Sequence, residues 1–402
     1  MRKAHYTLTG KDVQEHAASL IQKHVGLTNF SKKCQAVDVL LVLFAAGAWL
    51  TSVYAACQRL RHAPSDETLR KALLATLPGY AELQKRVNRA LVGDLPKALR
   101  RRKQRLAIDL HLVPYYGEAF ADPKEIYRSQ AKAGTNNFHA YASAYVVCHG
   151  QRFTVALTPV EQGESMKVVV QRLLALARKT GVRAGLLLLD RGFYSVEVIR
   201  YLQAARVPFL MPTVARGRLP AAGKPVTGIR AFQVWKKGGW GEHRLKTTKK
   251  KITTTAHVLI CVQCGNYRGQ WKKRGRYAWV YAYWGFKPAS TRWVADTYRK
   301  RFGIESSYRQ LNEARIKTCT RNPLLRFFFV ALALLLRNVW VWLHWEMLSS
   351  PHRGRRQLRP ERLRFKAMLL WLLHVAESVL GVVDESLTER PAGAWPNVTA
   401  AA

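Results

Sequence analysis

Three acidic residues stand out in a chain otherwise short of acid. Asp109 lies inside RLAIDLHLV (105–113), whose apolar residues alternate as in a half-buried strand. Asp190 closes RAGLLLLD (183–190), which reads as a fully buried strand, so this carboxylate falls at the carboxyl end where open α/β sheets place their ligands. A carboxylate in a strand is costly unless it is paired. Arg191 could pair with Asp190, but nothing adjacent in sequence serves Asp109. Two carboxylates converging from neighbouring strands instead suit a divalent cation, with its preference for oxygen ligands. TYRKRFGIESSYRQLNEARIK (297–317), read as one helix, offers a third ligand. Tyr298, Arg301 and Glu305 are spaced three and four apart and share a face, which Tyr308, Arg309 and Asn312 continue. Two aspartates and a glutamate could hold two Mg2+ ions, with Mn2+ as substitute; one would activate water or a 3′-hydroxyl and the other stabilise the departing oxygen in an in-line attack on phosphorus. Arg301 and Tyr298 could hold the phosphate or orient Glu305, the alternative being a solvated helix face.

The elements that must position these residues follow from periodicity. After RLAIDLHLV, the stretches FHAYASAYVVCHG (138–150) and QRFTVALTPV (151–160) read as a hairpin turning at His149-Gly150. An amphipathic helix (165–181), the Asp190 strand, a second helix (194–205) and a further strand (207–214) complete the order of a mixed α/β sheet covered by helices. Residues 1–100 read as helical, with Ser52 and Ser65 placed as N-caps, and as either a helix-turn-helix type DNA reader or a plain bundle packed on the next domain. The expected division is therefore a helical region 1–100, a first part of the core 101–214 opened by the basic linker 98–104, a β-rich insertion 215–288, a second part 289–349 carrying the Glu305 helix, and a basic helical region 350–402. The basic turns 246–251 and 271–276 of the insertion could track phosphates or be solvated hairpin tips.

With 66 Lys and Arg against 25 Asp and Glu, the net charge is +41, and the compact state repels itself unless it binds a polyanion. Double-stranded DNA is the expected partner, with affinity falling steeply as salt rises. Six scattered cysteines and no secretory signal suit a reducing cytosol. Cys261 and Cys264 form one CxxC with no second pair, and read as thiols in a strand rather than a zinc site. The apolar stretches 39–57 and 324–345 approach bilayer-spanning length, but Thr51 and Ser52 break the first, and Arg326, Arg337, Asn338 and His344 make the second expensive in lipid, so no membrane partner is expected. His111, two residues past Asp109, could approach the metals or be a packed histidine. Lys132, Thr135 and His139, in QAKAGTNNFH, could touch DNA or be a turn-rich loop.

At these residues the chain resembles the DDE-type transposases of bacterial and archaeal insertion sequences, in the branch with a β-rich insertion before the glutamate. The resemblance is carried by Asp109 in AIDLHLVPYYG, Asp190 in LLLLDRGFYS, and Glu305 in YRKRFGIE, and it covers about residues 35–345. It implies a ribonuclease H-like core, metal-dependent cutting at the element's terminal repeats, strand transfer of the freed 3′ ends, a homodimer on DNA, and a prokaryotic, nucleoid-associated location. Tyr194 is similar to the aromatic residue after the family's second aspartate. Asn312 departs from the pattern, standing where the signature has lysine; Arg309, on the same face, could replace that phosphate contact. The competing expectations are a catalytically silent DNA-binding derivative and a structure-specific nuclease on the same core.

Overall fold

The computed structural model describes residues 7–148, 152–219, 221, 223–249, 251–268, 274–352, 355–357, 359 and 361–385; the side chains of 249, 267, 268, 274, 304–307, 351, 352 and 355–357 also lie outside this description. The turn at His149-Gly150 and residues 271–273 of the basic turn 271–276 therefore fall outside the described residues.

Residues 7–101 are mainly helical: α1 (Gly10–Val25), α2 (Ala36–Ala48), α3 (Val53–Arg59), α4 (Asp66–Thr76), α5 (Tyr80–Leu91) and a short α6 (Lys97–Arg101) overlapping the stretch expected to be a linker. Ser52 and Ser65 cap α3 and α4, each accepting a backbone N–H from the first turn. Then come β1 (Gln104–Pro114), β2 (Tyr127–Lys132), β3 (Thr135–Val146), β4 (Thr154–Val160), α7 (Met166–Lys179), β5 (Ala184–Leu189), α8 (Val196–Ala204) and β6 (Phe209–Pro212). The insertion adds α9 (Arg230–Gln233), β7 (Gly239–Lys249), β8 (Ile252–Arg268) and β9 (Arg274–Trp284). The chain closes with α10 (Thr291–Arg299), α11 (Gly303–Ala314), α12 (Pro323–Glu346), a small hairpin of β10 (Ser350–His352) and β11 (Arg355–Gln357), and α13 (Phe365–Leu380).

One sheet runs β2-β3-β1-β5-β6-β9-β8-β7, with β4 also paired to β3. Strands β4, β3, β1, β5 and β6, antiparallel at first and parallel from β1 onward, have the order of a ribonuclease H-like core. The insertion does not stand apart as a separate β unit. Its β9 pairs with β6, and the β7–β8–β9 ribbon extends the core sheet. QAKAGTNNFH is also not a loop. It forms the β2–β3 hairpin, turning through Ala133 and Gly134, both at positive φ, a conformation that suits a two-residue turn with glycine second.

Helices α7 and α8 cover one face of the sheet, with Val169, Leu173, Ile199 and Leu202 against Ile108, Leu187 and Leu189. Alternation along the strands sends Ala107 and Leu188 to the other face, under Val294 and Tyr298 of α10. The helices α1–α5 share one core with α11, α12 and α13, so the two ends of the chain form a single bundle beside the sheet. Helix α12 is long and apolar enough to cross a bilayer, yet 89% of its apolar window is buried inside the protein, and α2 and α3 meet at 104°. Asn338 explains the polar interruption of α12: its amide donates to the carbonyls of Leu91 and Thr154, both at 2.8 Å, and accepts from the Thr154 N–H at 2.9 Å, tying bundle to sheet.

Candidate active site

Residue β1-Ile108 pairs with β5-Leu189 in parallel register, so the next residue of each chain, Asp109 and Asp190, emerges side by side at the carboxyl edge. Each continues the face set by Ala107 and Leu188, toward α10 and α11. Between them stands Arg301, only 4% exposed. Its Nη1 lies 3.3 Å from Asp109 Oδ2 and its Nη2 3.3 Å from Asp190 Oδ1. Its Nε donates to the Tyr298 hydroxyl at 2.9 Å, and the Tyr145 hydroxyl donates to its carbonyl at 2.9 Å. The salt bridge to Asp190 thus comes from Arg301, 111 residues away, and not from exposed Arg191.

Asp109 is held from behind as well. Its Oδ1 accepts the Leu110 N–H at 2.9 Å, and its carbonyl accepts the Tyr308 hydroxyl at 2.9 Å, which lies 2.9 Å from the Ser143 hydroxyl. Ser143 is the residue opposite Asp109 on β3. Burial pushes the Asp109 carboxyl up to about 6 despite the opposing pull of Arg301, and nearby Asp190 adds to the rise. Burial also works against the charge of Arg301, but Tyr298, Asp109 and Asp190 outweigh it and raise its pKa. The partners therefore do not mirror each other: Arg301 stays charged, whereas Asp109 sits near the edge of protonation. Tyr308 is partly buried, and desolvation of its hydroxyl raises its pKa, which keeps the phenol a donor.

The segment expected as one helix from 297 to 317 is broken. Helix α10 ends at Arg299, Lys300–Phe302 form a 3-10 turn, and α11 starts at Gly303. A Cβ on Gly303 would lie 2.9 Å from the Arg152 guanidinium carbon, so glycine permits the close approach here and weakens helix continuity. The break leaves Arg301 on the carboxylates with Tyr298 behind it and turns Tyr308 under β1. Arg309 and Asn312 are exposed on α11. Glu305 belongs to α11, but its side chain lies outside the described residues.

His111 packs its ring on Tyr308, with centroids 4.7 Å apart, and its Nε2 is buried without a hydrogen-bond partner. Burial pushes its pKa down to about 3, so the ring is neutral. His139 is buried edge-on against Tyr115, the Thr135 hydroxyl donates to the Tyr115 carbonyl, and Lys132 is exposed. Tyr194 is a buried core residue, 3% exposed. Cys261 is fully buried and Cys264 half-buried; three apart on one strand, they face opposite sides. Among the described residues, no cluster of three His, Cys, Asp or Glu side chains gathers to hold a metal. Sequence reasoning missed Ser143 and Tyr145, whose roles arise from strand register; Tyr308 was visible as two helical turns beyond Arg301. A cleft of about 620 Å³ opens beside Asp190, walled by Tyr298, Arg299, Arg301 and Trp279, with the Arg299 guanidinium 5.0 Å over the Trp279 ring.

Residues 100–339, more than half of the chain, match the family model of the transposase DDE domain. A comparison with curated proteins gave no match. Among solved structures, 91% of the chain superposes on 80% of a chain in the cryo-EM structure of the piggyBac transposase synaptic complex with hairpin DNA, at 10% identity and a TM-score of 0.49.

Proposed function

This chain belongs to the family of transposases with a DDE domain, and from that premise we propose that it cuts DNA phosphodiesters at the ends of its element and joins the 3′ ends to target DNA, with Asp109, Asp190 and Glu305 as the acids of the site. The observation that carries the proposal is the pair Asp109 and Asp190, meeting from adjacent parallel strands around one buried guanidinium. The donor chemistry fits Mg2+ or Mn2+: hard carboxylate oxygens, two negative charges against the single positive charge of Arg301, and a carboxyl that burial drives toward neutrality for want of further positive charge. Asp109 and Asp190, with Glu305 from α11, would hold the ion or ions. When bound, such ions lower the pKa of a water or 3′-hydroxyl and stabilise charge on the leaving oxygen.

The protein's own part is positioning. Tyr308 and Ser143 fix the backbone of Asp109, Tyr298 and Tyr145 fix Arg301, and Arg301 holds both carboxylates at one spacing. The cleft beside Asp190, with Arg191, Arg299 and Trp279 on its walls, suits an anionic strand with bases to stack. The net charge of +41 supports DNA as the partner, bound by two copies that each hold one end. The deciding experiment is cleavage of a labelled duplex carrying an element end in Mg2+. Asp109→Ala and Asp190→Ala are each expected to abolish nicking while DNA affinity stays within a few fold; nicking retained by both variants would sink the proposal.

A further inference from the structure

The strand that carries Asp109 runs on to a second basic site. Past Val113 and Tyr115 it borders a cavity of about 500 Å³, closed on the other side by residues 315–321 and the start of α12. Arg315, Lys317, Arg321 and Arg326 line it, and among the described residues no carboxylate does. Glu118 answers Arg321 at the rim, 3.4 Å away. Arg326, only 5% exposed, is fixed by neutral groups: it donates to the carbonyls of Thr318 and Thr320, and its guanidinium lies 4.3 Å over the Tyr115 ring. Part-buried Arg315 makes no hydrogen bond or ion pair among the described residues. Burial lowers the pKa of both arginines, and the charge of Arg326 lowers that of Arg315 further. Arg326 also stands four residues past Asn322, the N-cap of the 24-residue α12, close to the positive end of the helix dipole, where a cation is disfavoured.

A buried guanidinium, Arg326, and a part-buried one, Arg315, thus direct positive charge into one cavity, and among the described residues no acid answers them there. Carbonyls and a ring meet the Arg326 guanidinium, whereas the Arg315 donors face the cavity with no acceptor among the described residues and are open to an anion. We propose that the cavity holds a backbone phosphate of bound DNA, gripped by Arg315 and Arg326. This rests on the transposase reading above and deepens it by giving the DNA a second fixed point. Val113 stands four residues beyond Asp109 on extended β1, about 13 Å along the strand, so the cavity and the carboxylates lie on one side of the molecule within reach of a single DNA segment.

The test is DNA binding by the full chain to a 5′-labelled duplex over a range of salt, comparing wild type with Arg315→Gln, a change that removes no hydrogen bond or ion pair among the described residues. Arg315→Gln is expected to weaken binding about tenfold at low salt and to reduce the slope of log affinity against log salt by about 0.9, one phosphate contact. An unchanged slope overturns the phosphate site and leaves the transposase reading standing. Wild-type binding that does not respond to salt removes the transposase reading itself. Thermal unfolding in inorganic phosphate separates the two sources of the anion: a phosphate-induced rise in Tm for wild type but not for Arg315→Gln, with an unchanged DNA slope, would assign the cavity to free phosphate and overturn its assignment to DNA.

Discussion

Arg301, at the carboxyl edge of the sheet, and Arg337, in the middle of α12, are both almost fully buried, at 4% and 2% exposure. Their surroundings differ in kind. Arg301 is held by two carboxylates and a phenol. Arg337 is held by neutral acceptors, the Arg152 carbonyl at 2.6 Å and the Gln310 side-chain oxygen at 3.1 Å. The shifts accordingly run in opposite directions: burial drives Arg337 down to about 10, whereas the groups around Arg301 overcome burial and raise it. A guanidinium among neutral acceptors fastens bundle to sheet at a fixed electrostatic cost. A guanidinium between two acids marks a place where the fold has gathered negative charge for another purpose, which the proposed metal-dependent chemistry supplies.

Exchanging the two arginines for alanine is the strongest test of that difference. Arg337→Ala leaves a large void and two unsatisfied acceptors, and is expected to lower unfolding free energy by about 3 kcal/mol or more. Arg301→Ala is expected to lower the cleavage rate by about 10²- to 10³-fold, the scale of losing one electrostatic group from a reaction site, with a smaller loss of stability than Arg337→Ala. Urea unfolding and single-turnover cleavage on both variants decide it. Equal losses of stability with intact cleavage in Arg301→Ala would make Arg301 a strut like Arg337.

A pH profile sharpens the comparison. Folding raises the Asp109 pKa from 3.8 to about 6, so the fold favours the protonated acid. Its stabilising contribution is complete below about pH 4 and is lost as pH rises through about 6, an effect of up to about 3 kcal/mol for a shift of this size. In EDTA, wild-type stability is expected to fall across that window while Asp109→Asn, which cannot ionise, stays flat. Identical profiles would mean that Arg301 neutralises Asp109 as fully as the carbonyls satisfy Arg337.

Much of this site was legible in the sequence because it depends on short-range patterns. The leucine run placed Asp190 at a strand end, alternation placed Asp109 in a strand of the same sheet, and the spacing of Tyr298 and Arg301 placed both on one face. What escaped depended on register and on contacts between distant segments. Ser143 meets Asp109 only because β3 pairs antiparallel with β1 in one register, and Arg301 replaces Arg191 only because the 3-10 turn after α10 lies at the sheet edge. The insertion looked separate because its glycine- and lysine-rich texture differs from the core, while the β6–β9 pairing that joins them uses apolar residues from both sides, Phe209 to Trp284 and Leu210 to Tyr283. The 3-10 break at Lys300–Phe302 hid in a sequence with helical spacing, where only Gly303 signalled it.

The smallest expected effect concerns the support behind the site. Tyr308 donates to the Asp109 carbonyl and lies within hydrogen-bond distance of Ser143, so its hydroxyl links α11 to two strands at once. Tyr308→Phe keeps the ring on His111 and removes only that link, which should cost about 1 kcal/mol of stability and a few-fold in cleavage. Ser143→Ala alone should cost a similar amount, because each hydroxyl is left partly unsatisfied. If the two act through one hydrogen-bonded unit, the double variant costs little more than either single one. Additive losses would show that Asp109 is held by the β1–β3 ladder itself, and that the carboxylate edge, like the Arg337 strut, owes its geometry to backbone pairing rather than to the helix that brings Arg301.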